Sequence, residues 1–184
     1  QFDYELTYQF GDFEQDDISA WGLATETKYI IKQPSIIKDI GVRINYASGD
    51  SNAKDSKLGT YNALYPNAAY VFESAIFAPG NIKDIQPFVN LQFTNKLSVF
   101  AGLDFLWRAS KGDGLYINPG FSVASANSSN DSFYGTQFNV IATWQLTRFI
   151  SLQGFYTHSN VGNFIKSNDG KDAQYAMTSI AFKF

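Results

Sequence analysis

Cysteine is absent from this 184-residue chain, which excludes disulfide staples, thiolate metal sites and cysteine nucleophiles. No stretch of 18 apolar residues occurs, so no helix can cross a membrane. No cationic segment precedes an apolar run, and no secretory leader is expected within these residues. Charge of one sign is also scarce. Fourteen Lys and Arg stand against 17 Asp and Glu, the net charge is −3, and the basic residues form no run, so nucleic acid is not an expected partner. Histidine occurs once, at His158, and no G-x-S-x-G elbow accompanies it. Its neighbour Ser159 would point to the opposite face of a strand, so the two cannot form a nucleophile–base pair. Neither an enzyme nor a cofactor is expected.

What the chain does have is aromatic side chains: 17 Phe, 11 Tyr and 3 Trp. Mean hydropathy is nevertheless −0.19. That combination suits strands with one apolar face and one polar face. Period two runs from end to end, and no helical period competes with it. Phe2, Tyr4, Leu6, Tyr8 and Phe10 alternate with Asp3, Glu5, Thr7 and Gln9. The same pattern recurs over residues 18–32, 37–47, 84–93, 97–108, 134–146, 150–159 and 173–184, giving eight predicted strands. Pro87 lacks a ladder donor and weakens the fourth. Strands of roughly ten residues, tilted about 40°, span about 25 Å, the height of the apolar band in a membrane barrel.

The connections support the same reading. Three are short, around 33–35, 94–96 and 147–149; four are longer and polar, at 12–17, 48–83, 109–132 and 160–171. Longer and shorter connections alternate, as in barrels with long outer loops and short periplasmic turns. The predicted fold is all-β, an antiparallel up-and-down transmembrane barrel in a single domain over 1–184, with 48–83 as a long extracellular loop. Aromatics on the apolar face bracket an aliphatic band. Trp21, Tyr46, Trp107 and Tyr134 lie toward the long loops, and Tyr29, Phe93, Trp144, Phe182 and Phe184 toward the short turns. His158 is placed near the outer rim. A soluble β-domain with an apolar core is the opposing possibility.

The last ten residues, Tyr175-Ala-Met-Thr-Ser-Ile-Ala-Phe-Lys-Phe184, end on an aromatic. They resemble the terminal strand that bacterial outer-membrane barrels present to their assembly machinery, which marks Tyr175, Ile180, Phe182 and Phe184 as a candidate assembly signal. Three further stretches resemble the alginate-export porin family. The first is Tyr46-Ala-Ser-Gly-Asp50 with Lys57-Leu-Gly-Thr-Tyr-Asn-Ala-Leu-Tyr-Pro-Asn-Ala-Ala-Tyr70. The second is Leu103-Asp-Phe-Leu-Trp-Arg-Ala-Ser-Lys-Gly-Asp-Gly-Leu-Tyr116. The third is Ser151-Leu-Gln-Gly-Phe-Tyr-Thr-His-Ser159 with Val161-Gly-Asn-Phe-Ile-Lys166 and Gly170-Lys-Asp172. They run in family order over roughly residues 40–184.

The resemblance implies a passive porin of the bacterial outer membrane, with lipid around it and an anionic polysaccharide or small solutes inside. Family barrels have about eighteen strands, so this chain resembles the last eight; eight closed on themselves would leave no aqueous path. The expectation is a C-terminal portion of a larger barrel. The alternative is a closed, non-conducting eight-stranded barrel serving as an anchor or binding component.

If the apolar face meets lipid, mid-strand charge belongs on the inner face, because at midplane it costs about 2–4 kcal/mol on the lipid side. Glu26, Lys28, Asp39, Arg43, Asp104 and Arg108 obey that parity. By family analogy Arg43 and Arg108, with Lys28 third, would guide carboxylates. A purely structural role, as cross-strand ladders with Glu26, Asp39 and Asp104, remains open. The oxygen-rich stretches 48–52 and 167–172 lack the ligand spacing of a calcium loop and read as solvated turns.

Overall fold

A computed structural model describes residues 1–32, 34–52, 54–63, 76–118 and 121–184. Eight long antiparallel strands follow one another in chain order. They are β1 (Phe2–Phe13), β2 (Asp16–Ile30), β3 (Ile37–Ala47), β5 (Ile82–Thr94), β6 (Leu97–Trp107), β9 (Phe133–Gln145), β10 (Ile150–Val161) and β11 (Ala173–Phe182). Shorter elements sit in the connections: β4 (Lys57–Leu58), the hairpin β7 (Leu115–Asn118) and β8 (Phe121–Ala124), and one helical turn, α1 (Asn163–Lys166).

The long strands form one sheet in the order β1-β2-β3-β5-β6-β9-β10-β11, and β4 adds a short parallel rung to β2. β1 and β11 do not pair with each other, so the sheet is open. Strands of 10 to 15 residues are long enough to span the apolar band of an outer membrane at the usual tilt.

The faces are inverted relative to a soluble domain. Leu103 is 38% exposed, Ile44 45%, Phe138 42% and Ile180 56%. On the other face Asp39, Gln86, Asp104, Gln137, Asn139, Thr157 and Ser159 are buried. Burying polar rows while exposing aliphatic ones is unfavourable in water and favourable in hydrocarbon. The aromatic levels fall where expected. Trp21 stacks on Tyr46 at 4.2 Å near the long connections, while Tyr29, Phe93, Trp144 and Phe182 stand exposed near the short turns.

Three expectations change. The segment 12–17 is no loop: β1 and β2 continue to Phe13 and Asp16, joined by Glu14 and Gln15 alone, with Glu14 at φ 57°. Tyr134 is not on the lipid-facing side. Pairing of β6 with β9 jumps from Leu106↔Gly135 to Trp107↔Phe133, and this bulge at Gly135 (φ 144°) turns Tyr134 inward to complete burial. Pro87 sits inside β5; pairing with β6 runs from Lys83 to Ile85 and resumes at Phe88, skipping Gln86 and Pro87, the latter with no N–H to give. The loop 48–83 spans 48–81 between strands, and the family-like stretch at 64–70 lies outside the described residues, as does residue 33 in the first short turn.

Connections at the β3–β5, β6–β9 and β10–β11 ends gather into an apolar cluster. Phe77, Ile82, Leu106, Leu115, Tyr134, Val161, Phe164 and Ile165 form it. It is the main dry core of the molecule and joins three connections that are far apart in sequence.

Candidate functional site

Arg43 is the centre of the inner-face site. Its position follows from register: Arg43 pairs with Glu26 on β2 and with Gln86 on β5, so all three side chains leave the same face. Its Nε donates to Glu26 Oε2 at 2.9 Å, and Nη1 to Gln86 Oε1 at 3.3 Å. Lys28 Nζ reaches Glu26 Oε1 at 2.9 Å. Two cations thus share one carboxylate, leaving one positive charge. The three side chains are 21–32% exposed, so each ion pair contributes at most about 1 kcal/mol to stability.

Arg43 also lies over two rings. Its guanidinium carbon is 5.1 Å from the centroid of Phe88 and 5.1 Å from that of Phe100, and the rings stack at 5.5 Å. A cleft of about 450 Å³ opens beside this group, lined by Lys28, Lys38, Asp39, Arg43, Asn90 and Phe100 among others. Asp39 is buried, and one oxygen accepts Asn90 Nδ2 at 2.6 Å. Lys28, Asp39, Glu26 and Arg43 therefore come together as the pattern suggested.

Asp104 lies further toward the outer end, 2% exposed. Its Oδ1, like Oδ2 of Asp84, is buried with no hydrogen-bond partner among the described residues. Asp84 Oδ1 accepts Asn45 Nδ2 at 2.9 Å.

Arg108 stands apart from the cleft. It follows β6, is 1% exposed, and its fork is spent on backbone carbonyls. Nη2 donates to Ser129 O and Asp131 O at 2.7 Å each, and Nε to Asp131 O at 3.1 Å. Nη1 faces Ala126 O at 3.2 Å and both Lys111 O and Asp113 O at 3.3 Å. The guanidinium lies 4.0 Å over Phe164. Burial pulls its pKa down, yet an arginine stays charged. The side chain ties 108–132 to α1 and presents nothing to a solute, contrary to the lumen role expected of it.

Sequence reasoning missed the residues that complete this tie. Asn81, fully buried, donates from Nδ2 to Ser110 O at 3.1 Å and Gly114 O at 2.8 Å. Tyr134 donates to Asn81 O or Gly114 O, both at 3.2 Å. Asp113 accepts from the Thr60 hydroxyl, the Asp50 amide at 2.9 Å and Tyr116 Oη at 2.7 Å. Burial, and then the Asp113 carboxylate, push the Tyr116 phenol well above its ordinary range. The one available signal was Gly112-Asp113-Gly114, a tight turn that aims a carboxylate inward. In 48–52 and 167–172 the acids cap backbone: Asp50 Oδ1 accepts the Asn52 amide at 3.0 Å and Asp172 Oδ1 the Val161 amide at 2.8 Å.

At the terminal strand Ile180, Phe182 and Phe184 are exposed, at 56%, 65% and 115%. Tyr175 is on the other face: it pairs with inner-facing Thr157, and its hydroxyl lies 3.1 Å from Met177 Sδ. It belongs with the inner row rather than with the terminal apolar three. His158 is half-buried, paired with outer-facing Phe138, and contacts Asn160 Oδ1 at 3.1 Å.

An inverted antiparallel sheet with a cationic inner cleft is the geometry on which comparison with known proteins can be judged. The family model described as alginate export matches residues 1–179. The chain belongs to the alginate-export family. The match takes in β1 and β2, which the three resembling stretches left out. No curated protein matches the chain. Membership agrees with the all-β architecture and supports a role in alginate export or as a porin.

Proposed function

We propose that this alginate-export family chain is eight strands of the wall of an outer-membrane porin, passing an anionic polysaccharide or small anionic solutes passively. The observation that carries the reading is the inversion of the sheet: aliphatic rows outward, and the Glu26–Lys28–Arg43 group inward beside an open cleft. On this reading no catalysis or cofactor is involved, lipid covers the outer face, and the barrel-assembly machinery reads the terminal strand. The unpaired edges of β1 and β11 favour a barrel of more than eight strands, since a closed eight fills its own interior with side chains. Arg43 and Lys28 are the carboxylate guides; Arg108 is a loop anchor.

Planar-bilayer recording of the intact protein that contains these eight strands, with and without uronic-acid polymers, tests this. Open channels that polyuronates block are expected. Arg43→Gln should move the reversal potential in a salt gradient toward cations. Channels indifferent to polyuronate would remove the polysaccharide, and protein that never conducts would favour the non-conducting anchor.

A further inference from the structure

Phe88 and Phe100 are the least expected residues on the inner face, because apolar rings there face water while the lipid side is open to them. Their neighbours explain how they fit. Gly41 pairs with Phe88 across β3 and β5, and Phe88 pairs with Gly102 on β6. A Cβ at Gly41 would stand 2.5 Å from Phe88 Cζ and 2.8 Å from Cε1. A Cβ at Gly102 would stand 3.0 Å from Phe100 Cζ and 3.2 Å from Cε1. Each ring thus lies close against a glycine of the wall, where a side chain at Gly41 would clash and one at Gly102 would crowd the ring. Phe88 is 6% exposed.

The rings in turn define where Arg43 stands. Four rotatable bonds would let an unsupported arginine sweep the channel or fold back along its strand. Here the guanidinium is held from three directions. Glu26 Oε2 takes both Nε and Nη2 at 2.9 Å, Gln86 Oε1 meets Nη1 at 3.3 Å, and two ring centroids lie 5.1 Å away. The rings add attraction without consuming a hydrogen-bond donor. Glycine seat, phenyl ring and guanidinium form a stack anchored on the β-wall.

We infer that Phe88 and Phe100, seated on Gly41 and Gly102, are positioning residues that fix the Arg43 charge at one place on the channel wall and so set anion selectivity. This rests on the conduit reading above. It predicts that selectivity depends on ring faces that carry no charge. A role in packing alone would leave the reversal potential untouched.

The experiment uses the intact protein that contains these eight strands in two assays. In planar bilayers, Phe88→Leu with Phe100→Leu should reproduce at least half of the reversal-potential shift of Arg43→Gln, while Phe88→Tyr, which keeps the ring face, should retain the wild-type value. In the second assay, phenylglyoxal labels arginines and mass spectrometry reads the rate at Arg43 against exposed Arg148 in the same molecule. The leucine variants should raise the Arg43 to Arg148 ratio at least threefold. Should Phe88→Leu fail to assemble, Phe100→Leu alone, at a half-buried position, gives the same readouts. A reversal potential and labelling ratio both unchanged in the leucine variants would overturn the inference. If the wild type never conducts, the porin reading falls instead, and the labelling ratio alone decides whether the rings hold Arg43.

Discussion

Arg108 offers the sharpest test of how the outer connections hold together. Three of its donor contacts are short, two at 2.7 Å and one at 3.1 Å. Hydrogen bonds from a charged donor contribute about 1.5–3 kcal/mol each and are not additive within one group. The stack on Phe164 at 4.0 Å adds about 1 kcal/mol. Replacing Arg108 by Gln also strands the buried carbonyl of Asp113 and the part-buried carbonyls of Ala126, Ser129 and Asp131, so the local penalty is about 3–5 kcal/mol. The sheet does not depend on this side chain; its ladders run through β6 and β9 regardless. The penalty should therefore appear as opening of 108–132 rather than as loss of the barrel wall. At about 1.4 kcal/mol per factor of ten, opening rises roughly 100- to 3,000-fold. Amide hydrogen exchange reads this directly, at the Arg108 amide bonded to Ser132 O and the Ala109 amide bonded to Asn81 O. Trypsin cleavage after exposed Lys111 should accelerate in parallel. Arg108→Lys keeps the charge but cannot reach several carbonyls in different directions, and should recover less than half of the protection. Exchange in Arg108→Gln within about threefold of wild type would refute the keystone role and with it the energy estimate.

Two further outcomes follow from the same geometry. Leu103→Arg, on the outward face, should destabilise the protein in lipid vesicles by about 2–4 kcal/mol, whereas Ser98→Arg, lining the inner cleft, should cost less than about 1 kcal/mol; urea titrations giving the reverse order would invert the assignment of faces. Because the fold raises the Tyr116 phenol above its unfolded value, its stabilisation is complete below pH about 10 and is lost above that, at about 1.4 kcal/mol per pH unit. Tyr116→Phe should lessen that alkaline slope, and cost about 1–3 kcal/mol at neutral pH by removing a donor from buried Asp113; an alkaline slope left unchanged by the substitution would show that other groups cause it.

Strand placement and face polarity were legible in the chain alone, because the alternation of side chains along a strand is local and has period two. Ile40, Val42 and Ile44 against Asp39, Arg43 and Asn45 identify a face without any knowledge of neighbours; parity put Glu26, Lys28 and Arg43 on one face, and register set Arg43 opposite Glu26. The same logic failed wherever one residue shifted the count. The bulge at Gly135 inverted Tyr134, and the two-residue turn at Glu14 and Gln15 stands where a loop was expected. Arg108 shows the other boundary. Its parity is right, but its destination was set by Ala126, Ser129, Asp131 and Phe164, up to 56 positions away, and no periodic signal encodes such a meeting. The glycine seats of Phe88 and Phe100 likewise emerge only when register brings Gly41 across from Phe88. Local alternation therefore determined which side of each strand is apolar; long-range packing and strand register alone decided which inner charges stay open to the cleft and which hold the connections in place.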